Sequence, residues 1–286
     1  MSSMFGQILF PVDFSPRCAE TAVQVAAIAR KFRSKVTLIH AIGDYTNVFT
    51  PDAPSSFAWR EWLLKDAEPQ IAFFGKPLLD QFVVERVVDD GEPADVITRY
   101  AASHPVDLIT LPTHGRGLFR RLLLGSVTSK VLHDCACPVW TTAHGGEATD
   151  NGEVRTILCA LDLSEGSDCV LDAARKVACG WGAELRLVHA VPVPGAIQES
   201  MMNREFALFL ADTATGHLQE MQKRLGTSYE ASVETGEVAQ VIRQTATDCH
   251  ADLVVIGRGR LRDYLGRLRT NSAAIIRESP CPVLSF

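Results

Sequence analysis

The sequence predicts an α/β protein built from two copies of one doubly wound, open parallel-sheet domain. Three observations support this prediction. The chain has 286 residues, which is enough for about two domains. Short apolar runs alternate with helical patterns, as expected for a parallel sheet with helices on both faces. Finally, blocks of the first half return in the same order in the second half.

Five short sequence blocks form this repeat. The paired blocks are 8–15 and 157–164, 36–41 and 185–190, 91–97 and 236–242, 107–109 and 252–254, and 137–139 and 281–283. In the first pair ILFPVDFS returns as ILCALDLS, so that Asp13 corresponds to Asp162. The repeat predicts a first domain at residues 1–143, a flexible linker at 144–153 and a second domain at 154–286.

The first half predicts five strands and four helices. The strands are expected near 7–12, 35–41, 82–88, 107–111 and 138–142. Ser15 followed by Pro16 predicts the start of the first helix, because serine is a good N-cap and proline fits the first helical position. The other helices are expected within 57–80, from Glu92 and after Gly125. The second half repeats this plan, with a long helix marked by apolar residues between 210 and 225.

The composition argues against several classes of protein. The formal net charge of −6 disfavours a general nucleic-acid or anionic-membrane binder, since both need a basic surface. No apolar run approaches the roughly 18 residues that span a bilayer, and the first residues lack the basic start of a signal peptide. We therefore expect a cytoplasmic protein with no nucleic-acid and no membrane partner. The eight cysteines are expected to be reduced, buried side chains rather than metal ligands.

Two polar segments fall where strands of the first half end. In an open parallel sheet, ligands bind beyond the carboxyl ends of the strands, where the strand order reverses. Asp13 closes the first strand, and the segment 112–128 follows the fourth. Gly125 in that segment stands at the start of a helix, whose N–H groups attract anions. Ser126 and Thr128 add hydroxyl donors, so the crevice is expected to suit a phosphate chain.

These residues resemble the nucleotide signature of the universal stress proteins. That signature reads Gly-x2-Gly-x9-Gly-(Ser/Thr) after the fourth strand, with an aspartate at the end of the first strand. Gly115 followed by Gly125 and Ser126 matches its second half, whereas Pro112 replaces the first glycine. With Asp13 and the duplication, the resemblance extends over nearly the whole chain, as a tandem universal stress protein.

The resemblance implies a Rossmann-like fold with strand order 3-2-1-4-5 that binds ATP in some members of the family. It also implies that Asp13 meets the adenine or ribose side and that Ala41 lies beside the base. The residues implied around the phosphates are Thr113, His114, Gly115, Gly125, Ser126, Val127 and Thr128. Pro112 changes the first turn of this loop, because proline fixes φ and has no N–H group to donate.

The second half carries a degenerate version of the same site. Its candidate binding residues are Asp162, Gly257, Gly259 and Thr270. A glycine of the phosphate turn is lost, since Arg269 or Thr270 takes the place of Gly125, depending on the alignment. We expect an empty or altered second site, although arginines between 258 and 269 offer direct pairing with phosphate as an alternative.

The function implied by the resemblance is ATP binding, mainly in the first half, in a regulatory or sensing role in the stress response. The sequence has no Gly-x4-Gly-Lys-(Ser/Thr) loop, and no cluster of metal ligands was found in it. At most slow ATP hydrolysis is therefore expected. Whether Mg²⁺ or Mn²⁺ accompanies the nucleotide is left open.

The alternative is an interaction module that binds no nucleotide. In that interpretation Asp13 and Asp162 merely cap helix starts. His40 and His189 are expected to be hydrogen-bonded strand-end histidines rather than catalytic bases. The last strands of the two halves are expected to pair within the chain as an intramolecular pseudo-dimer, with further assembly into a homodimer left open.

Overall fold

The structure, a computed structural model, describes residues 4–43, 56–113, 124–142, 152–192, 201–258 and 270–286. The chain divides into two compact units, Met1–Trp140 and Thr141–Phe286. None of the helices in the described ranges is long and apolar enough to cross a membrane.

Strands and helices alternate along both units. The elements of the first half are β1 Gln7–Pro11, α1 Pro16–Phe32, β2 Lys35–Ile42, α2 Ser56–Phe73, β3 Val84–Asp90, α3 Pro93–Ser103, β4 Leu108–Pro112, α4 Ser126–Asp134 and β5 Val139–Thr142. Those of the second half are β6 Thr156–Ala160, α5 Ser167–Trp181, β7 Glu184–Pro192, α6 Met201–Leu225, β8 Glu230–Gly236, α7 Val238–Asp248, β9 Leu253–Ile256, α8 Thr270–Glu278 and β10 Val283–Ser285.

The sheet of the first unit runs in the order β3-β2-β1-β4-β5. Strand β1 pairs in parallel with both β2 and β4, with Ile8 opposite Val36 on one side and Leu108 on the other. The second unit repeats this order as β8-β7-β6-β9-β10, also with parallel pairs. The predicted doubly wound α/β fold with strand order 3-2-1-4-5 is thus confirmed.

Helix α1 forms as its sequence predicts. Ser15 is the N-cap, and its hydroxyl oxygen accepts a hydrogen bond from the Cys18 N–H at 3.3 Å. Pro16 occupies the first turn, where its missing N–H group has no cost. Small buried side chains, including Ala22 and Ala26, let the helix lie close to the strands.

The core of each unit consists of apolar strand residues covered by helices. Strand β1 contributes Ile8, Leu9 and Phe10, all fully buried, and β6 contributes the corresponding Ile157 and Leu158. Because both faces of a parallel sheet are covered, these strands read as continuous apolar runs rather than as alternating patterns.

The second helix, Ser56–Phe73, occupies part of the predicted range 57–80 and begins one residue before it, and Lys76–Pro77 is a cis peptide in the turn that follows. Some predicted strand starts needed correction. Strand β3 begins at Val84, two residues after the predicted start. Strand β4 begins at Leu108, one residue after the predicted start, and the Asp107 carboxylate just before it accepts a hydrogen bond from the Gln7 N–H.

Candidate functional site

The reversal of strand order places the ends of β1 and β4 side by side in the first unit. Asp13 lies just beyond β1, and Thr113 just beyond β4. The helices that follow these two strands start from this edge of the sheet. The predicted first-half residues that the structure describes, with the exception of Ala41 on β2, therefore lie at these two strand ends.

Asp13 is held by the start of helix α1. Its Oδ1 atom accepts hydrogen bonds from the Ser15 N–H at 3.0 Å and from the Cys18 thiol at 2.9 Å. Burial, together with the hydrogen bond to Asp13, raises the pKa of Cys18 to about 12, so this thiol keeps its proton and remains a donor. Phe14, between Asp13 and Ser15, takes a left-handed φ of 58° to close the turn. Asp13 therefore organises the turn as well as lying at the strand end.

Helix α4 is fastened to the end of strand β4 by two hydrogen bonds. The Gly125 N–H donates to the Thr113 carbonyl oxygen at 2.9 Å, and the Thr128 hydroxyl donates to the Pro112 carbonyl oxygen at 2.9 Å. The sequence predicts that Thr128 offers its hydroxyl hydrogen to a phosphate. In this structure the hydrogen goes to the Pro112 carbonyl oxygen, so the phosphate contact of this hydroxyl stays a prediction.

The first turn of helix α4 presents backbone N–H donors at the end of strand β4. Gly125 is the N-cap and has no side chain that could cap the helix. An α-helix has no internal acceptors for its first N–H groups, which here belong to Ser126, Val127 and Thr128. Ser126 is exposed and Val127 is partly exposed. The helix dipole adds a partial positive charge at the same end.

The remaining predicted residues of the first half are only partly described. Ala41 is partly exposed on β2, opposite Asp89 of β3. His114 and Gly115 lie outside the described residues, so their places in the site stay predictions.

The strand-end histidines are hydrogen-bonded in both units, as predicted. Nδ1 of His40 lies 2.7 Å from the carbonyl oxygen of Val12, and Nδ1 of His189 lies 2.7 Å from that of Leu161. Phe14 packs against the His40 ring, with 4.4 Å between ring centroids. The histidine thus ties strand β2 to the end of β1, and the second unit repeats this contact.

The second unit rebuilds the aspartate turn with different side chains. Oδ1 of Asp162 accepts from the Ser164 N–H at 3.0 Å, from the Ser164 hydroxyl at 2.6 Å and from the Ser167 hydroxyl at 2.9 Å. Ser167 occupies the position that Cys18 holds in the first unit. Leu163 adopts a φ of 56°, as Phe14 does.

Gly257 of the second unit lets helix α5 pack closely against the end of strand β9. A Cβ atom on Gly257 would lie 2.9 Å from Cγ2 of Val170 on α5. The Ser272 hydroxyl donates to the Gly257 carbonyl oxygen at 3.3 Å, which repeats the bond between Thr128 and Pro112. Thr270 begins helix α8, whereas Gly259 lies outside the described residues.

The described residues of the second unit line a partly open cavity of about 210 Å³ at the carboxyl ends of β6, β7 and β9. The predicted residues Asp162 and Gly257 line it. Sequence reasoning missed most of its walls. These are residues such as Val170, Val188, Ile242 and Ile275, which look like ordinary core positions in the sequence. Among the residues that the structure describes, no group of three or more His, Cys, Asp or Glu side chains could hold a metal ion.

Both units are therefore doubly wound α/β domains, and their candidate site residues lie at the carboxyl ends of the strands. The family model described as the universal stress protein family matches residues 4–142 and again residues 153–286. The chain belongs to the universal stress protein family and contains its domain twice. This confirms the resemblance inferred from the sequence.

Individual relatives agree with this assignment. The chain is 29% identical over 139 residues to universal stress protein MJ0531 of Methanocaldococcus jannaschii, an alignment that covers 48% of this chain and 81% of the relative. It is 29% identical over 198 residues to universal stress protein Rv2005c of Mycobacterium tuberculosis, covering 66% of this chain and 64% of the relative.

A solved structure has the same fold over almost the whole chain. A universal stress protein from Archaeoglobus fulgidus superposes with a TM-score of 0.73, covering 98% of this chain and 97% of that protein at 21% identity. At this identity the similarity concerns the fold alone.

Proposed function

We propose that the first unit binds an adenine nucleotide, ATP, at the carboxyl ends of β1 and β4, and that binding serves a regulatory or sensing role in the stress response in the cytoplasm. The proposal rests on membership of the family together with the arrangement of the β4–α4 junction. Slow hydrolysis of ATP stays a prediction and is not needed for this role.

The observation that carries the proposal is the start of helix α4, where the N-cap residue Gly125 makes no side-chain hydrogen bond to the first turn. Two hydrogen bonds, from Gly125 to Thr113 and from Thr128 to Pro112, fix this helix end against the end of β4. The N–H groups of its first turn have no acceptor within the helix, and Gly125 supplies no side-chain oxygen in their place. Preorganised amides of this kind favour a phosphate group, because the hydrogen bonds and the helix dipole act together.

The other end of the proposed site lies at β1 and β2. Asp13 is held in a fixed orientation by Ser15 and Cys18, so its carboxylate does not need to be ordered by a ligand. Ala41 presents a small, partly exposed side chain on β2, against which a flat base could lie. The positions of Asp13 and Ala41 support a base and ribose on one side of the β1–β4 reversal and phosphates on the other.

The test is a pair of substitutions at Gly125. Its backbone, with φ −58° and ψ 144°, is open to any residue, so neither variant should strain the chain. Gly125→Asp adds a capping carboxylate that would stand beside the phosphates, and Gly125→Asn adds a cap of the same shape without the charge. Both should keep or raise the thermal stability of the protein, since Asp and Asn are good N-caps.

The measurement is isothermal titration calorimetry of the full chain with ATP, with and without Mg²⁺ or Mn²⁺. We expect Gly125→Asp to weaken ATP binding about tenfold or more relative to Gly125→Asn, because like charges repel. Adding cAMP as a competitor tests the choice of nucleotide, since one solved universal stress protein is described as a complex with cAMP. Equal ATP affinities of the two variants, or the absence of ATP binding by the unaltered chain, would contradict the proposal and favour the interaction module.

A further inference from the structure

Residues 205–213 of helix α6 contribute no side chain to the core of the second unit. Each of them is exposed or partly exposed, and the first buried side chain among the described residues of this helix is Ala214. Leu218 and Met221, further along the helix, are buried as well. The carboxyl-terminal half therefore holds α6 on the unit, and residues 205–213 form a surface of their own.

Two phenylalanines lie next to each other on this surface. Phe206 and Phe209 are 58% and 64% exposed. Residues three apart on a helix are neighbours, so the two rings form one apolar strip. Since an aromatic side chain offers about 150–250 Å², this strip exposes about 200–300 Å² to water. Aromatic side chains are enriched in protein interfaces, whose centres are apolar, so the strip is suited to form such a centre.

An acidic row runs beside the apolar strip. Glu205 and Asp212 are exposed and lie about two turns apart, which puts them on one line along the helix. Leu208, 63% exposed, lies on the other side of this row. The range 205–222 contains no lysine or arginine. We call the surface formed by Glu205, Phe206, Leu208, Phe209 and Asp212 the α6 face; it combines apolar side chains with negative charge.

The first unit carries an aromatic pair at the matching place but a different pattern of charge. Trp59 and Trp62 of helix α2 precede the first buried residue among the described residues of that helix by the same spacing as the two phenylalanines do in α6. Lys65 takes the place of Asp212, and its Nζ atom lies 2.9 Å from a carboxylate oxygen of Glu61 on the same helix. The acidic row therefore distinguishes the α6 face from its counterpart.

The charge of the α6 face indicates what kind of partner it fits. In a contact between two copies of the chain through this face, Glu205 and Asp212 of one copy would approach the same residues of the other. Like charges brought together across an interface cost several kcal/mol, whereas opposite charges favour association and fix its register. A partner with basic residues beside an apolar surface is therefore favoured over a second copy.

We propose that the α6 face is a docking surface for a helix of another protein, one that carries apolar side chains beside a row of lysines or arginines. The apolar side chains of the partner cover Phe206 and Phe209, and its basic row pairs with Glu205 and Asp212. The inference goes beyond ATP binding by the first unit and does not depend on it.

The test uses a short synthetic peptide of leucine and lysine, arranged as an amphipathic helix and labelled with fluorescein. Its binding to the full chain is measured by fluorescence anisotropy. We expect micromolar binding, and binding about tenfold or more weaker both for a leucine–glutamate peptide of the same pattern and for a scrambled leucine–lysine peptide. The absence of leucine–lysine binding, or equal binding of either control peptide, would overturn the proposal.

Substitutions of the aromatic residues locate the binding surface. The double variant Phe206→Ser, Phe209→Ser removes two rings that are already exposed, so it should nearly keep the thermal stability of the protein and bind the peptide about tenfold or more weakly. Trp62→Ser is the matched control, because it removes an exposed ring at the matching place of the first unit, and it should leave binding unchanged. Equal losses in the two variants, or no loss in the double variant, would overturn the assignment.

Substitutions of the acidic residues test the role of charge. The double variant Glu205→Gln, Asp212→Asn keeps the shape of both side chains and removes their charge. It should bind the leucine–lysine peptide about fivefold or more weakly and with a smaller dependence on salt, because the screened attraction is lost. Unchanged affinity and unchanged salt dependence would overturn the choice of a basic partner.

Sedimentation equilibrium tests the other occupant, a second copy of the chain. We expect the unaltered chain and the Phe206→Ser, Phe209→Ser variant to have the same mass in solution. An oligomer of the unaltered chain that the double variant abolishes would assign the α6 face to a second copy and overturn the proposal.

Discussion

Replacing Gly257 by alanine adds one methyl group at the point where strand β9 meets helix α5. The new Cβ atom would lie 2.9 Å from Cγ2 of Val170, closer than two carbon atoms approach without strain. Val170 cannot easily turn away, because a β-branched side chain on a helix has one strongly preferred χ1 rotamer. Either the helix or the strand end must therefore move.

We expect Gly257→Ala to lower the free energy of unfolding by about 1–3 kcal/mol, the range for an extra methylene forced into a packed site. Val170→Ala removes the opposing Cγ2 atom. In that background the cost of Gly257→Ala should fall to less than about 0.5 kcal/mol. The coupling between the two positions is then about 0.5–3 kcal/mol, the range measured for residues in contact.

The assay is urea denaturation followed by circular dichroism for the single and double variants. Gly216→Ala is the matched control, since Gly216 lies inside helix α6 and a Cβ atom there meets nothing within 4 Å. It should raise stability by about 0.5–1 kcal/mol, because alanine favours a helix more than glycine does. A neutral Gly257→Ala, or an equal cost with and without Val170, would refute the packing explanation.

Two further predictions concern stability. Glu237 caps helix α7 by accepting hydrogen bonds from the N–H groups of Ala239 and Gln240, whereas its counterpart Glu92 at the start of α3 makes no such bond. In urea denaturation, Glu237→Ala should therefore lower the free energy of unfolding by about 1 kcal/mol, and Glu92→Ala should leave it nearly unchanged. Equal losses in the two variants would contradict the cap assignment. Burial raises the pKa of the Cys18 and Cys281 thiols from 9.0 to about 12, so their contribution to stability is complete below pH 9 and is lost as the pH rises towards 12. In that window the unfolded chain gives up protons that the folded chain keeps, so stability should fall by about 1.4 kcal/mol per pH unit for each thiol. Cys281→Ala should reduce this slope in urea denaturation at pH 9 to 11, and an unchanged slope would contradict the assignment.

Much of the fold could be predicted from the sequence because the two halves of the chain repeat the same sequence pattern. The apolar runs at 8–10 and 157–158 became buried central strands, and the Ser15–Pro16 pair started a helix as its local chemistry requires. Helix α2 was predicted only to lie within 57–80, and the sequence pattern did not give its end at Phe73.

Less of the candidate site than of the fold could be predicted from the sequence. Asp13 was correctly placed at the end of β1, but its hydrogen bonds to Ser15 and Cys18 depend on the left-handed turn at Phe14. The sequence could not show that the Thr128 hydroxyl donates to Pro112, since only the fold brings these two residues together. For the same reason the cavity of the second unit was missed. Its walls come from helices far apart in the chain, and each wall residue alone looks like ordinary core.

The central claim is that the first turn of helix α4 receives the phosphates of ATP, and amide NMR tests it most directly. The full chain, labelled with ¹⁵N, is titrated with ATP and separately with adenosine. We expect ATP to shift the backbone amide signals of Ser126 and Val127 strongly, because their N–H groups would acquire charged acceptors, and adenosine to leave them nearly unchanged. ATP that binds to the protein without moving these two signals would contradict the account.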